Sequence, residues 1–112
     1  MTYLLPKSQF EQLEMFKREA EKNRLVMIDF WADWCGACKA MKPEIEHLSY
    51  SFPDTLIVFT VDTGDDSYEM LVNELSVSSL PTTVLFRNGT VLDVRHTPMT
   101  YDALVKWVGD FL

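Results

Sequence analysis

Apolar and polar residues alternate along this chain in two rhythms, short extended runs and longer stretches of helical spacing. Tyr3 to Leu5 reads as a short edge strand. Ser8 and Glu11 form a capping box for a helix from Gln9 to about Lys22, and the spacing assigns its buried face to Phe10, Leu13, Phe16 and Ala20. Leu25 to Ala32 is an apolar run with Val26, Ile28 and Phe30 on one side and Met27, Asp29 and Trp31 on the other, the pattern of a strand covered on both faces. After a turn at Trp34, a helix is expected from Cys35 to about Tyr50, kinked or broken near Pro43, which has no amide donor. Leu56 to Val61 is a second buried strand. Asp66 to about Leu75 has helical spacing at Met70, Leu71 and Leu75, and Leu80-Pro81 interrupts the chain before a new extended segment. Thr83 to Arg87, Asn88-Gly89 and Thr90 to Val94 read as a hairpin with a tight turn. A closing helix near Thr100 carries Leu104, Val105, Val108 and Phe111 on one stripe. This order predicts an α/β domain with a mixed sheet between two layers of helices.

The chain has 112 residues, 47% of them hydrophobic, enough for one compact domain over residues 1–112 but not two. Its net charge of -7 argues against nucleic acid or an anionic membrane as partner, because both repel an acidic surface. No apolar stretch approaches the roughly 20 residues that span a bilayer, and no basic segment precedes an apolar one at the start, so the expectation is a cytoplasmic protein. Asn88-Gly89-Thr90 fits the glycosylation pattern, but the hairpin turn explains it without secretion.

Candidate chemistry centres on the two cysteines, Cys35 and Cys38. A helix start brings residues three apart to within the roughly 4.4–6.8 Å between α-carbons that a disulfide requires. Unpaired amides and the helix dipole stabilise a thiolate there, and only the thiolate attacks a disulfide. Cys35 receives most of that help, whereas Cys38 is better placed to resolve a mixed disulfide. Trp34 would shield one side and offer an apolar docking surface, or else serve as core packing. The alternatives for the pair are an inert disulfide, disfavoured by a reducing cytosol, and half a zinc site, disfavoured because His47 and His96 lack finger-like spacing with it; no metal is expected.

Asp29 interrupts an apolar strand shortly before the cysteines. Buried without a cation, its carboxyl would have a raised pKa and could exchange a proton with Cys38 near neutral pH. The plainer reading is a carboxylate facing water at the strand end.

The segments Asp29-Phe30-Trp31-Ala32-Asp33-Trp34-Cys35-Gly36-Ala37-Cys38-Lys39, then Pro43, Leu80-Pro81-Thr82-Thr83 and Phe86-Arg87-Asn88-Gly89, resemble the thioredoxin family over nearly the whole chain. The resemblance implies a thioredoxin fold as a single domain, with Cys35 as nucleophile, Cys38 as resolving thiol, Asp29 as the buried acid and a cis Leu80-Pro81 bond facing the cysteines. Trp34, Gly36, Ala37, Leu80 and Pro81 would form the contact surface, the Leu80 backbone pairing with an extended substrate. A plain proline at a strand start is the other reading of Pro81. The resemblance also implies protein disulfide substrates, a cytoplasmic monomer in electron transport and redox homeostasis, and a separate thioredoxin reductase carrying flavin and NADPH, with no cofactor on this chain.

Three positions depart from the family's commonest pattern. Ala37 stands where proline is usual, Thr60 or a neighbour where a basic residue lies near the buried acid, and Thr97 where a glycine borders the active face. Ala37 carries an N–H that could donate to the Cys35 sulfur, stabilise the thiolate and make the pair more oxidising. Asp29, without a nearby lysine, should have its pKa raised further. The leading reading is a protein disulfide reductase. An oxidase or isomerase is the second, and a thioredoxin-fold binding module with incidental cysteines the third.

Overall fold

Strand Leu25–Trp31 is the axis of the molecule in a computed structural model that describes residues 1–112. The elements run β1 (Tyr3–Leu4), α1 (Gln9–Glu21), β2 (Leu25–Trp31), α2 (Gly36–Ser51), β3 (Leu56–Asp62), a 3-10 turn (Asp66–Tyr68), α3 (Glu69–Glu74), β4 (Thr82–Arg87), β5 (Thr90–Arg95) and α4 (Tyr101–Gly109). One sheet forms in the order β1-β3-β2-β4-β5. β3 runs parallel to β1 and β2, while β4 lies antiparallel to β2 and β5. The expected mixed sheet between helices is the fold observed.

Side-chain alternation along β2 sends its residues into two separate cores. Val26, Ile28 and Phe30 join Phe59, Val61, Val84 and Phe86 on the face covered by Met15 of α1 and by Tyr68 and Leu71. Leu25 and Met27 join Val58 and Leu85 on the opposite face, beneath Met41, Ile45 and Leu48 of α2 and Leu104, Trp107 and Val108 of α4. Asp29 shares the second face, which puts a carboxylate beneath α2. The β4–β5 turn is the expected hairpin, with Asn88 at φ 53° and Gly89 at φ 73°, the left-handed pair that a two-residue type I′ turn requires.

Several helical faces differ from the expectation. α1 buries Gln12, Met15 and Glu19, whereas Phe10 is 72% and Leu13 55% exposed. The polar pair can occupy core positions because both have partners: Gln12 Nε2 donates to the Pro6 carbonyl at 2.9 Å, and Glu19 faces Arg24 at 3.5 Å. Met70 points outward, because the segment begins as a 3-10 turn that instead buries Tyr68, whose hydroxyl donates to the Leu5 carbonyl. α2 passes through Pro43 unbroken, anchored on the sheet by Met41 before it and Ile45 and Leu48 after it.

On α4 the inward side chain that the apolar stripe left out is Trp107, which is buried and donates from Nε1 to Asp93 Oδ2 at 2.8 Å. That bond is the main cause holding the Asp93 carboxyl below its usual range. Trp107→Phe should keep the fold but lose about 1–3 kcal/mol of stability from the missing hydrogen bond and indole contacts, measured by denaturant unfolding.

Candidate active site

The register of the sheet brings the sequence-selected residues to one end of it. Phe30 pairs with Thr82, so the C-terminal end of β2, which leads into Cys35, lies beside the start of β4, which follows Pro81. The Leu80-Pro81 peptide bond is cis.

Between strand and helix the chain turns tightly, with the Cys35 N–H donating to the Ala32 carbonyl at 3.0 Å. Cys35 is not the first helical residue. It is the N-cap, in extended conformation at φ -92° and ψ 99°, and Gly36 begins α2. A capping side chain accepts from an amide that the helix leaves without a partner, and here the cap is sulfur: Cys38 N–H donates to Cys35 Sγ at 3.1 Å. The donor expected at Ala37 is therefore corrected. In this disulfide form the amide at the sulfur belongs to Cys38, and proline at position 37 would leave that bond in place.

Cys35 and Cys38 are joined in a disulfide with α-carbons 5.3 Å apart. Cys35 keeps 5% of its surface and Cys38 only 1%, so the first is the more accessible of the two. Trp34 is 77% exposed, which excludes the core-packing reading, and Gly36 and Ala37 are exposed beside it. Leu80 is half-buried and Pro81 buried. Neither the N–H nor the carbonyl of Leu80 has a hydrogen-bond partner in the chain, which leaves both free to pair with an extended peptide.

Asp29 is 1% exposed, and its Oδ1 accepts no hydrogen bond. A cleft of about 420 Å³ reaches it, lined by Lys39, Lys42 and Glu46 of α2 and by Thr60. Burial pushes the Asp29 carboxyl from 3.8 up to about 7, opposed by the charge of Lys42. The water-facing reading of Asp29 is thus excluded, and so is the expectation that no cation lies near. Thr60 is the register neighbour of Asp29 on β3, but the compensating charge comes from the helix above. Lys42 Nζ sits 3.3 Å from the centroid of the Trp31 ring, a cation–π contact that holds it over this part of the sheet. Lysines at 39 and 42, one helical turn apart just after the cysteines, were the available signal for it. A carboxyl that titrates near neutral pH beneath α2 can take up or return a proton under ordinary conditions.

The pH dependence of stability follows from this burial. The folded protein holds a proton on Asp29 between pH 3.8 and about 7 that the unfolded chain has released, so stability falls as pH rises through that window. Asp29→Asn removes the effect and should be more stable than wild type above pH 7, by up to roughly 4 kcal/mol, in urea unfolding at pH 5 and pH 8. Lys42→Met should move the Asp29 titration upward, as followed by carboxyl carbon NMR; a downward or absent shift would remove Lys42 from the site.

The thioredoxin family profile matches residues 7–110. Over 94 residues the chain is 34% identical to the thioredoxin of Rickettsia prowazekii, covering 83% of this chain and 88% of the relative. It is 38% identical over 73 residues to Thioredoxin-T of Drosophila melanogaster, a match covering 65% of this chain and 45% of that protein. The X-ray structure of Fasciola hepatica thioredoxin superposes with a TM-score of 0.81 at 25% identity, covering 98% of each chain. No helix here is long and apolar enough to cross a membrane. With a redox-capable cysteine pair capping the helix after the central strand, and with this agreement in sequence and fold, the chain belongs to the thioredoxin family of thiol-disulfide oxidoreductases.

Proposed function

We propose that the chain, acting as a single thioredoxin domain over residues 1–112, reduces protein disulfides with Cys35 as the attacking thiolate. Its sulfur displaces one sulfur of a substrate disulfide, which leaves as a thiolate and takes a proton from solvent, and a mixed disulfide with the other remains. Asp29 accepts the Cys38 proton, and the Cys38 thiolate attacks Cys35 Sγ. The second substrate thiol departs, and two electrons have passed from the dithiol to the substrate. What remains is the closed Cys35–Cys38 pair seen here.

The observation that carries this reading is the pair at the N-cap, where the Cys38 amide points at Cys35 Sγ. An amide donating to sulfur stabilises negative charge on it and lowers the thiol pKa. Trp34, Gly36, Ala37, Leu80 and Pro81 form the substrate contact surface, supported by the exposure of the first three and the unpaired backbone of Leu80. A separate thioredoxin reductase, carrying flavin and NADPH, returns the pair to the dithiol. The setting is a cytoplasmic monomer in electron transport.

Cys38→Ser should trap a mixed disulfide with a reducible substrate such as insulin, visible as an adduct on a non-reducing gel and released by dithiothreitol. Cys35→Ser should form no adduct and reduce insulin only at the uncatalysed rate. An adduct that forms in Cys35→Ser through Cys38 would reverse the two assignments.

A further inference from the structure

Next to the cysteine face is a histidine that the redox steps leave unused. Thr83 pairs with Arg95, so the next residues outward, Thr82 and His96, meet at the sheet end where Pro81 lies. His96 Nδ1 is 3.1 Å from Thr82 Oγ1, and that oxygen is 2.6 Å from the Ser79 carbonyl. A hydroxyl has one proton and a carbonyl can only accept, so the Thr82 proton goes to Ser79 and its oxygen accepts from the ring. His96 therefore carries hydrogen on Nδ1 whether neutral or cationic. Its Nε2 has no partner in the chain and is a bare acceptor in one state and a charged donor in the other. The residue itself is exposed.

The loop after His96 belongs to the same surface. Pro98 and Thr100 form one wall of a groove of about 330 Å³ whose other wall is α2, from Ala37 between the cysteines to Glu44. The Met99 amide donates to Met41 Sδ at 3.2 Å and holds the loop against the helix. Between Glu74 and Arg87 no side chain is ionisable, and from His96 to Thr100 only His96 is. The charged groups on the neighbouring elements are Glu44 of α2, whose Oε2 accepts from the Tyr101 amide at 3.0 Å, and Arg95, held 3.3 Å from Asp93. His96 is thus the one ionisable side chain on these two segments, while Asp29, the register partner of Thr83, faces α2 on the other side of the sheet.

We propose that His96 is a specificity-determining residue for substrate disulfides, presenting Nε2 beside Pro81 so that protonation favours substrates with an acidic residue next to the target cysteine. The inference rests on the dithiol reading above and on Leu80-Pro81 as its docking edge. Three disulfide-bonded peptide probes, differing only in Asp, Ala or Lys beside the cysteine, separate it from thiolate chemistry. Ionisation of Cys35 changes all three rates alike and cancels in their ratios. For the wild-type protein, reduced and in single turnover, the Asp-to-Lys rate ratio should rise about three- to tenfold from pH 8 to pH 5.5, the size expected of exposed charge pairs. In His96→Asn, which keeps a donor near the Nδ1 position, and in His96→Gln, the ratio should be the same at both pH values. A flat wild-type ratio overturns the proposal, as does a pH-dependent ratio that survives in either variant. Nitrogen NMR of the wild-type imidazole at pH 8 gives a second check: hydrogen on Nδ1 is expected, and hydrogen on Nε2 refutes it. A wild-type protein that reduces none of the probes fails at the dithiol step, and the inference falls with it.

Discussion

Everything at the cysteine face depends on β2 being paired on both edges and buried on both faces. Leu25 through Phe30 are all buried, held in register by β3 on one side and β4 on the other. A strand in that position cannot slide by one residue without exchanging its two side-chain sets between opposite cores. The same register therefore fixes three things at once: Asp29 faces α2, the turn before Cys35 leaves the sheet at a set place, and Pro81 starts the neighbouring strand there. Rigidity of this kind is what a reaction between sulfur atoms needs, because displacement at sulfur depends on holding the groups in line.

The arrangement places two electrostatic demands close together on one strand and the helix that follows it. The proposed attack needs Cys35 as an anion, and the cap amide of Cys38 points at its sulfur from the helix end. The proposed resolving step needs Asp29 able to hold a proton, and burial favours its neutral form by disfavouring the charge. The second device lowers stability above neutral pH, where the carboxylate is forced to ionise away from water. An asparagine there would avoid that cost and could not accept a proton.

Legibility in the sequence followed the locality of the physics. β2, β3 and the hairpin could be read because apolar runs and Asn88-Gly89 report on their own backbone. The inward face of α1 could not, since Gln12 and Glu19 occupy it through partners at Pro6 and Arg24, and a rule that sends polar residues outward picks Phe10 and Leu13 instead. Trp107 falls outside the apolar stripe for the same reason: an indole needs a polar partner when buried, and Asp93 lies on another element. At the site, both cysteines, Asp29 and Trp34 could be read from pattern. Cys35 as cap, Lys42 over the cleft and His96 against Thr82 depend on which element covers which, and no local rule contains that.

The source of the cation near Asp29 shows why such a substitution of roles is physically reasonable. A basic side chain at position 60 would lie beside Asp29 in the sheet register and would have to leave water to reach it. Desolvating a second ion can offset most of the attraction it gains. Lys42 approaches from an exposed position on α2, with its ammonium over the Trp31 ring and its charge still near solvent. From there it moderates the Asp29 pKa without removing the effect of burial. The carboxyl is left near neutrality, the range that suits the proton exchange proposed for it.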